Sequence, residues 1–89
     1  MIIITLVSVR GTIKAHKTYR STKSALKDIV PFLRKIRNQY KNVHVSADAY
    51  LEDSGDWTLL HHAYITQDGE ERTWKDDEAD HLNYPPTNP

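Results

Sequence analysis

The chain has 89 residues, 38% hydrophobic and 27% charged, which fits one small compact domain with a polar surface and leaves little room for a deep, water-free pocket. It contains no cysteine, so disulfides and thiolate metal sites are excluded, and a reducing, cytoplasmic setting is the expected one. The formal net charge of zero conceals two blocks: residues 1–42 carry ten basic groups and one acid (+9), residues 43–89 two basic groups and eleven acids (−9), an asymmetry that suggests a charged partner or an acidic tail.

Ile2-Ile3-Ile4-Thr5-Leu6-Val7-Ser8-Val9 is β-branched and nearly continuous, as in a strand covered over most of both faces. The apolar opening lacks a basic leader region and a small-residue cleavage site and is too short to span a bilayer, so no membrane association is expected. Arg10-Gly11 is a turn signal. From Thr12 the pattern alternates, with Ile13, Ala15 and Tyr19 on one side and Lys14, His16, Thr18 and Arg20 on the other; Lys17 is the exception on the apolar side. This predicts a hairpin.

Ser21-Thr22-Lys23-Ser24 offers several N-caps. Helical spacing then places Ala25, Leu26, Ile29, Phe32, Leu33, Ile36 and Tyr40 on one apolar face, predicting a helix from about Thr22 to Tyr40. Pro31 projects away from that face, so the helix either kinks there or divides into two near Val30. Val43, Val45, Ala47 and Ala49 alternate with His44, Ser46, Asp48 and Tyr50 as a third strand. After the turn Asp53-Ser54-Gly55-Asp56 comes a fourth strand, Trp57 to Thr66, with Trp57, Leu59, His61, Ala63 and Ile65 opposing Thr58, Leu60, His62 and Tyr64. Gln67-Asp68-Gly69-Glu70 turns the chain into a short fifth strand from Glu71 to Trp74. The acidic run beyond it predicts a helical turn over 76–82 and a flexible tail over 83–89. The order β-β-α-β-β-β defines an α+β two-layer sandwich, one domain over residues 1–82, with an antiparallel sheet packed on a single helix.

Two candidate surfaces follow. Lys23, Lys27, Arg34, Arg37 and Lys41 form one stripe about 80° wide along the helix, suited to an anionic partner; Lys14 and Arg20 enlarge it if the second strand lies alongside. Otherwise these side chains snorkel along the core edge and pair with the chain's own acids. The sheet face turned away from the helix gathers His16, His44, Tyr50, His62 and Tyr64, a set suited to protein contact or to stacking on bases, and equally ordinary for a half-exposed strand. His61-His62 invites a metal reading with His16, His44 and Asp48, but neighbouring strand residues point to opposite faces and no zinc-type spacing occurs. A general acid–base pair of His44 and Asp48 fails on distance, since i and i+4 on a strand lie about 13 Å apart. No nucleophile elbow or phosphate loop is present.

The expectation is therefore a small non-enzymatic binding or regulatory protein without metal or cofactor. It would act through charged surfaces on a protein partner, in the manner of the inhibitors and adaptors of phages and mobile elements, with a nucleic-acid-handling complex as one target type. Direct nucleic-acid binding by the helix stripe is the alternative, and an exposed edge strand would allow a homodimer.

Overall fold

Both hairpins turn on two residues in the left-handed region. Strands β1 (Ile2–Val9) and β2 (Thr12–Tyr19) close through Arg10 (φ 52°) and Gly11 (φ 84°). Strands β3 (Val45–Asp53) and β4 (Asp56–Ile65) close through Ser54 (φ 52°) and Gly55 (φ 88°). Positive φ at both central positions is the type I′ geometry, whose twist matches that of the strands it joins. Between the hairpins lies helix α1 (Thr22–Gln39), and β5 (Glu71–Thr73) follows the second. The computed structural model describes residues 1–73. The turn expected over 76–82 and the tail over 83–89 fall outside the described residues.

The helix begins where the sequence offers a cap: Ser21 is extended (φ −134°) and its Oγ accepts the Ser24 amide at 3.2 Å. It runs unbroken through the exposed Pro31, so the two-helix alternative does not occur. It ends as Lys41 (φ 59°) and Asn42 (φ 61°) turn left-handed and the Asn42 amide returns to the Arg37 carbonyl at 3.0 Å. Lys41 therefore lies beyond the helix, off the stripe to which the spacing assigns it.

The five strands form one antiparallel sheet in the order β2-β1-β3-β4-β5, with α1 on one face: the α+β two-layer sandwich expected. β2 and β3 are both antiparallel to β1, hence parallel to each other, and the helix bridges them across it. Its buried residues Ala25, Ile29, Leu33 and Ile36 pack on Ile3, Val7, Val9, Val45, Ala47, Ala49, Ala63 and Ile65. No helix among the described residues is long and apolar enough to cross a membrane.

Two register shifts change which side chains meet the helix. Val7 pairs with Ala15 but Ser8 with Ile13, so Ile13 leaves the side of Ala15 and Tyr19 and lies 58% exposed. Ala49 pairs with His61 but Tyr50 with Leu59. The extra residue, Leu60, packs on the core edge, and the expected alignment of Trp57 and Leu59 with His61, Ala63 and Ile65 is overturned: both face away from the helix. The third strand also starts at Val45, leaving Val43 as a half-buried lead-in.

Leu33→Ala, deleting a fully buried side chain at the middle of the helix contact, is expected to cost about 2–5 kcal/mol in chemical denaturation. Thr5 is also fully buried, and its hydroxyl has no partner among the described residues. Thr5→Val, which removes the unmet hydrogen-bonding group, is expected to stabilise the fold by about 1 kcal/mol in the same assay.

Candidate binding surface

Cross-strand register orders the helix-free face of the sheet into rows. Ile13, Ser8, Ser46, Tyr64 and Arg72 make one row; His16, Leu6, Asp48 and His62 the next; Thr18, Ile4, Tyr50 and Leu59 the third; Ile2, Glu52 and Trp57 the last. Four of the five expected sheet-face residues, His16, Tyr50, His62 and Tyr64, therefore do share this face. The fifth, His44, precedes β3 and joins them by stacking on Tyr64 (centroids 5.8 Å apart, planes 30°). Tyr64 in turn lies 5.8 Å from the His62 ring, and at the other end Tyr50 tilts against Trp57 at 5.5 Å.

Sequence reasoning missed the apolar half of this surface. Ile2, Leu59 and Trp57 are 37%, 40% and 49% exposed, and Ile4, Leu6 and Tyr50 between them are half-buried. Scattered exposed apolar residues are ordinary, but these occupy adjacent rows of one face and form a contiguous patch. The signal lay in the nearly continuous run Ile2 to Val7, which puts apolar side chains on both faces of a strand whose sheet, among the described residues, has one helix to cover it.

The electrostatics of the face are acidic rather than basic. Asp48 and Glu52 stand on it, and Asp53 and Asp56 close the adjoining turn. The Asp48 carboxylate meets His62 Nδ1 at 2.5 Å, so the aspartate's histidine partner comes from the neighbouring strand and not from His44. No hydroxyl among the described residues is hydrogen-bonded to the other ring nitrogen of His62. Arg72, on the same face, is 3.6 Å from Glu70. Among the described residues no three histidine, aspartate or glutamate side chains converge as a metal site requires.

Lys14 and Arg20 lie apart from the arginines of the helix stripe, so the condition under which they would enlarge it is not met for Arg34 and Arg37. Lys14 sits at the β2 register shift and Arg20 just past the end of β2, at one edge of the sheet. Arg34 and Arg37 engage the opposite edge, about four strand spacings or 19 Å away. There Arg34 grips Glu71 with two bonds (Nε 2.6 Å, Nη2 2.7 Å), and Arg37 Nη2 donates to the Gln67 carbonyl at 3.0 Å. The guanidinium holds the Glu71 carboxyl below the usual range, and Glu71 raises Arg34 in return. Arg34 is thus turned toward β5 and Arg37 toward the β4–β5 connection, whereas Lys23, Lys27 and Lys41 make no ion pair among the described residues.

The other flank of the helix is tied to β2. Asp28 accepts from Lys17 Nζ (2.8 Å) and from the Tyr19 hydroxyl, and the same ammonium lies 5.4 Å from the Phe32 ring centroid and 5.7 Å from that of Tyr19. These hydrogen bonds lower the Asp28 carboxyl, whereas burial followed by the Asp28 hydrogen bond raises the Tyr19 phenol. Lys17, the apparent misfit of the apolar side, faces the helix because it has a partner there. Comparison with protein-family models, curated proteins and solved structures finds no match to this chain.

His61 lies on the helix side in the row Lys17, Thr5, Ala49, where burial, and then the neighbouring His62, push its imidazole below the ordinary histidine value. Below about pH 6.5 the unfolded chain therefore binds a proton that the folded one resists, and stability falls with pH until the folded value is passed. Asp28 and Glu71, whose folded values are depressed, contribute stability that is lost only lower, as pH falls below about 4. Urea titrations of His61→Gln are expected to show a flatter stability profile between pH 6.5 and 5 than the parent chain, with the loss below pH 4 unchanged.

Proposed function

We propose that this chain is a non-enzymatic binding protein that engages a protein partner through the helix-free face of its sheet. The observation carrying this reading is the contiguous surface of Ile2, Ile4, Leu6, Tyr50, Trp57 and Leu59, bordered by Glu52, Asp53 and Asp56. Apolar and aromatic side chains at the centre with charges at the rim are the anatomy of a protein interface, and Trp and Tyr are the residues that most often dominate its binding energy. The acidic rim fits a partner that presents basic side chains around an apolar centre, by charge complementarity. The same acids oppose nucleic-acid stacking on these rings, since base stacking on aromatic platforms works within a positively charged groove. On the helix side, Arg34 and Arg37 are committed to internal contacts, which weakens the alternative of a phosphate-binding stripe.

Photo-crosslinking from within the source cells tests the reading. A crosslinking amino acid in place of Leu59 is expected to capture a discrete protein, one in place of Lys35 on the helix is not, and Tyr50→Ala is expected to abolish the Leu59 adduct while leaving the circular dichroism unchanged. A nuclease-sensitive adduct, an adduct of twice the chain's own mass, equal capture from Lys35, or no adduct would each overturn it.

A further inference from the structure

Arg37 is bonded at one nitrogen of its guanidinium and unmet at the next. Nη2 donates to the Gln67 carbonyl at 3.0 Å, while the neighbouring Nε is buried and has no acceptor among the described residues. Arg34 uses the same pair of nitrogens fully, gripping both oxygens of the Glu71 carboxylate with Nε and Nη2. A guanidinium presents its N–H groups as a planar fork that matches a carboxylate. In Arg37 a single carbonyl oxygen occupies half of that fork. A buried donor without an acceptor has lost its water and gained nothing in return, so it calls for a partner from outside the chain.

Arg37 also lines a cavity of about 160 Å³, together with Arg34, Asn38, Ile65, Gly69 and Glu71. The cavity lies between the last turns of α1 and the β4–β5 connection, whose Gly69 (φ 92°) keeps side-chain atoms away from its rim: a Cβ there would stand 3.6 Å from Arg37 Nη2. Two guanidiniums against one carboxylate leave the lining with one net positive charge. Asn38 adds an amide and Ile65 an apolar wall. Size narrows the occupant further, because a cavity of about 150 Å³ accommodates one benzene-sized molecule. This is too little for the run of phosphates that a nucleic acid presents. A phosphate group, with about 1.5 to 2 negative charges at neutral pH, would also exceed the single positive charge and crowd Glu71.

We infer that this cavity is a binding site for a small monocarboxylate of a few carbons. One carboxylate oxygen accepts from Arg37 Nε beside the Gln67 carbonyl and completes the half-used fork, the Asn38 amide lies within the same lining, and the short apolar tail rests on Ile65. Charge, planarity and volume agree on this class of ligand. The site shares no residue with the proposed sheet-face contact, so either can fail without the other.

The test titrates the full chain with sodium acetate, sodium butyrate and neutral butyramide at constant ionic strength, following the arginine Nε–Hε signals in ¹H–¹⁵N spectra. Butyrate is expected to shift the Arg37 signal saturably, acetate to bind more weakly for want of a tail, and butyramide to leave the signal in place. The signals of the exposed Arg10 and Arg20 are expected to stay fixed throughout. Arg37→Lys keeps the charge but removes Nε and the fork, and is expected to weaken butyrate binding, followed at the Gly69 amide, by about fivefold or more. Thermal melts verify that this variant is folded, and the titration of the parent chain stands without it. An unmoved Arg37 signal, equal movement of Arg10 and Arg20, an equal response to butyramide, or undiminished binding by folded Arg37→Lys would overturn the inference. Inorganic phosphate binding more tightly than butyrate would overturn the assignment to a carboxylate.

Discussion

The helix seats on this sheet because the strands beneath it offer alanine. Ala47, Ala49 and Ala63 are fully buried on β3 and β4, and their small side chains share one core with Ile29, Leu33 and Ile36 of the helix and with Val7, Val45 and Ile65 of the sheet. Interiors are packed to crystal density, so large residues at those three positions would lift the helix off the sheet. Everything else about the surface depends on that seat. The flanks of α1 come within reach of β2 on one side and the β4–β5 connection on the other, where Asp28 and Arg34 find their partners.

A sheet with one helix has one face left over. In most such folds alternation fills it with polar groups. Here β1 is apolar on both sides, and the register shift at Leu60 sends Trp57 and Leu59 to join it. A single inserted residue thus sets the character of the exposed surface, turning what would be a patch of the core into aromatic contact area. The shift near Lys14 does the same on a smaller scale for Ile13.

What was legible in the sequence follows the range of the interactions. Turn chemistry at Arg10-Gly11 and Ser54-Gly55, the cap at Ser21 and the 3.6-residue spacing of α1 are local, and they specify the element order and the two-layer architecture. The alternation of β2 and β4 also identified His16, His62 and Tyr64 as companions of Tyr50. A bulge is invisible to alternation, because one extra residue inverts the assignment of all that lie beyond it. Hence alternation alone assigns Ile13, Trp57 and Leu59 to the wrong side. The partners of charged groups were equally out of reach: Asp48 with His62, Lys17 with Asp28, and Arg34 with Glu71 are separated by 14, 11 and 37 residues, and only the assembled sheet brings them together.

The pairing of Lys17 with Asp28 has a bearing on what happens along the rim of the sheet. β2 is an edge, with a row of backbone groups facing outward that invites another strand. A bulge at Lys14 breaks the regular spacing of that row, and a charged side chain held inward at Lys17 obliges any incoming strand to lie beside a fixed ion pair. On the broad face the side chains stand in regular rows, while at this margin the backbone spacing is interrupted, a feature that disfavours edge-to-edge pairing into ribbons.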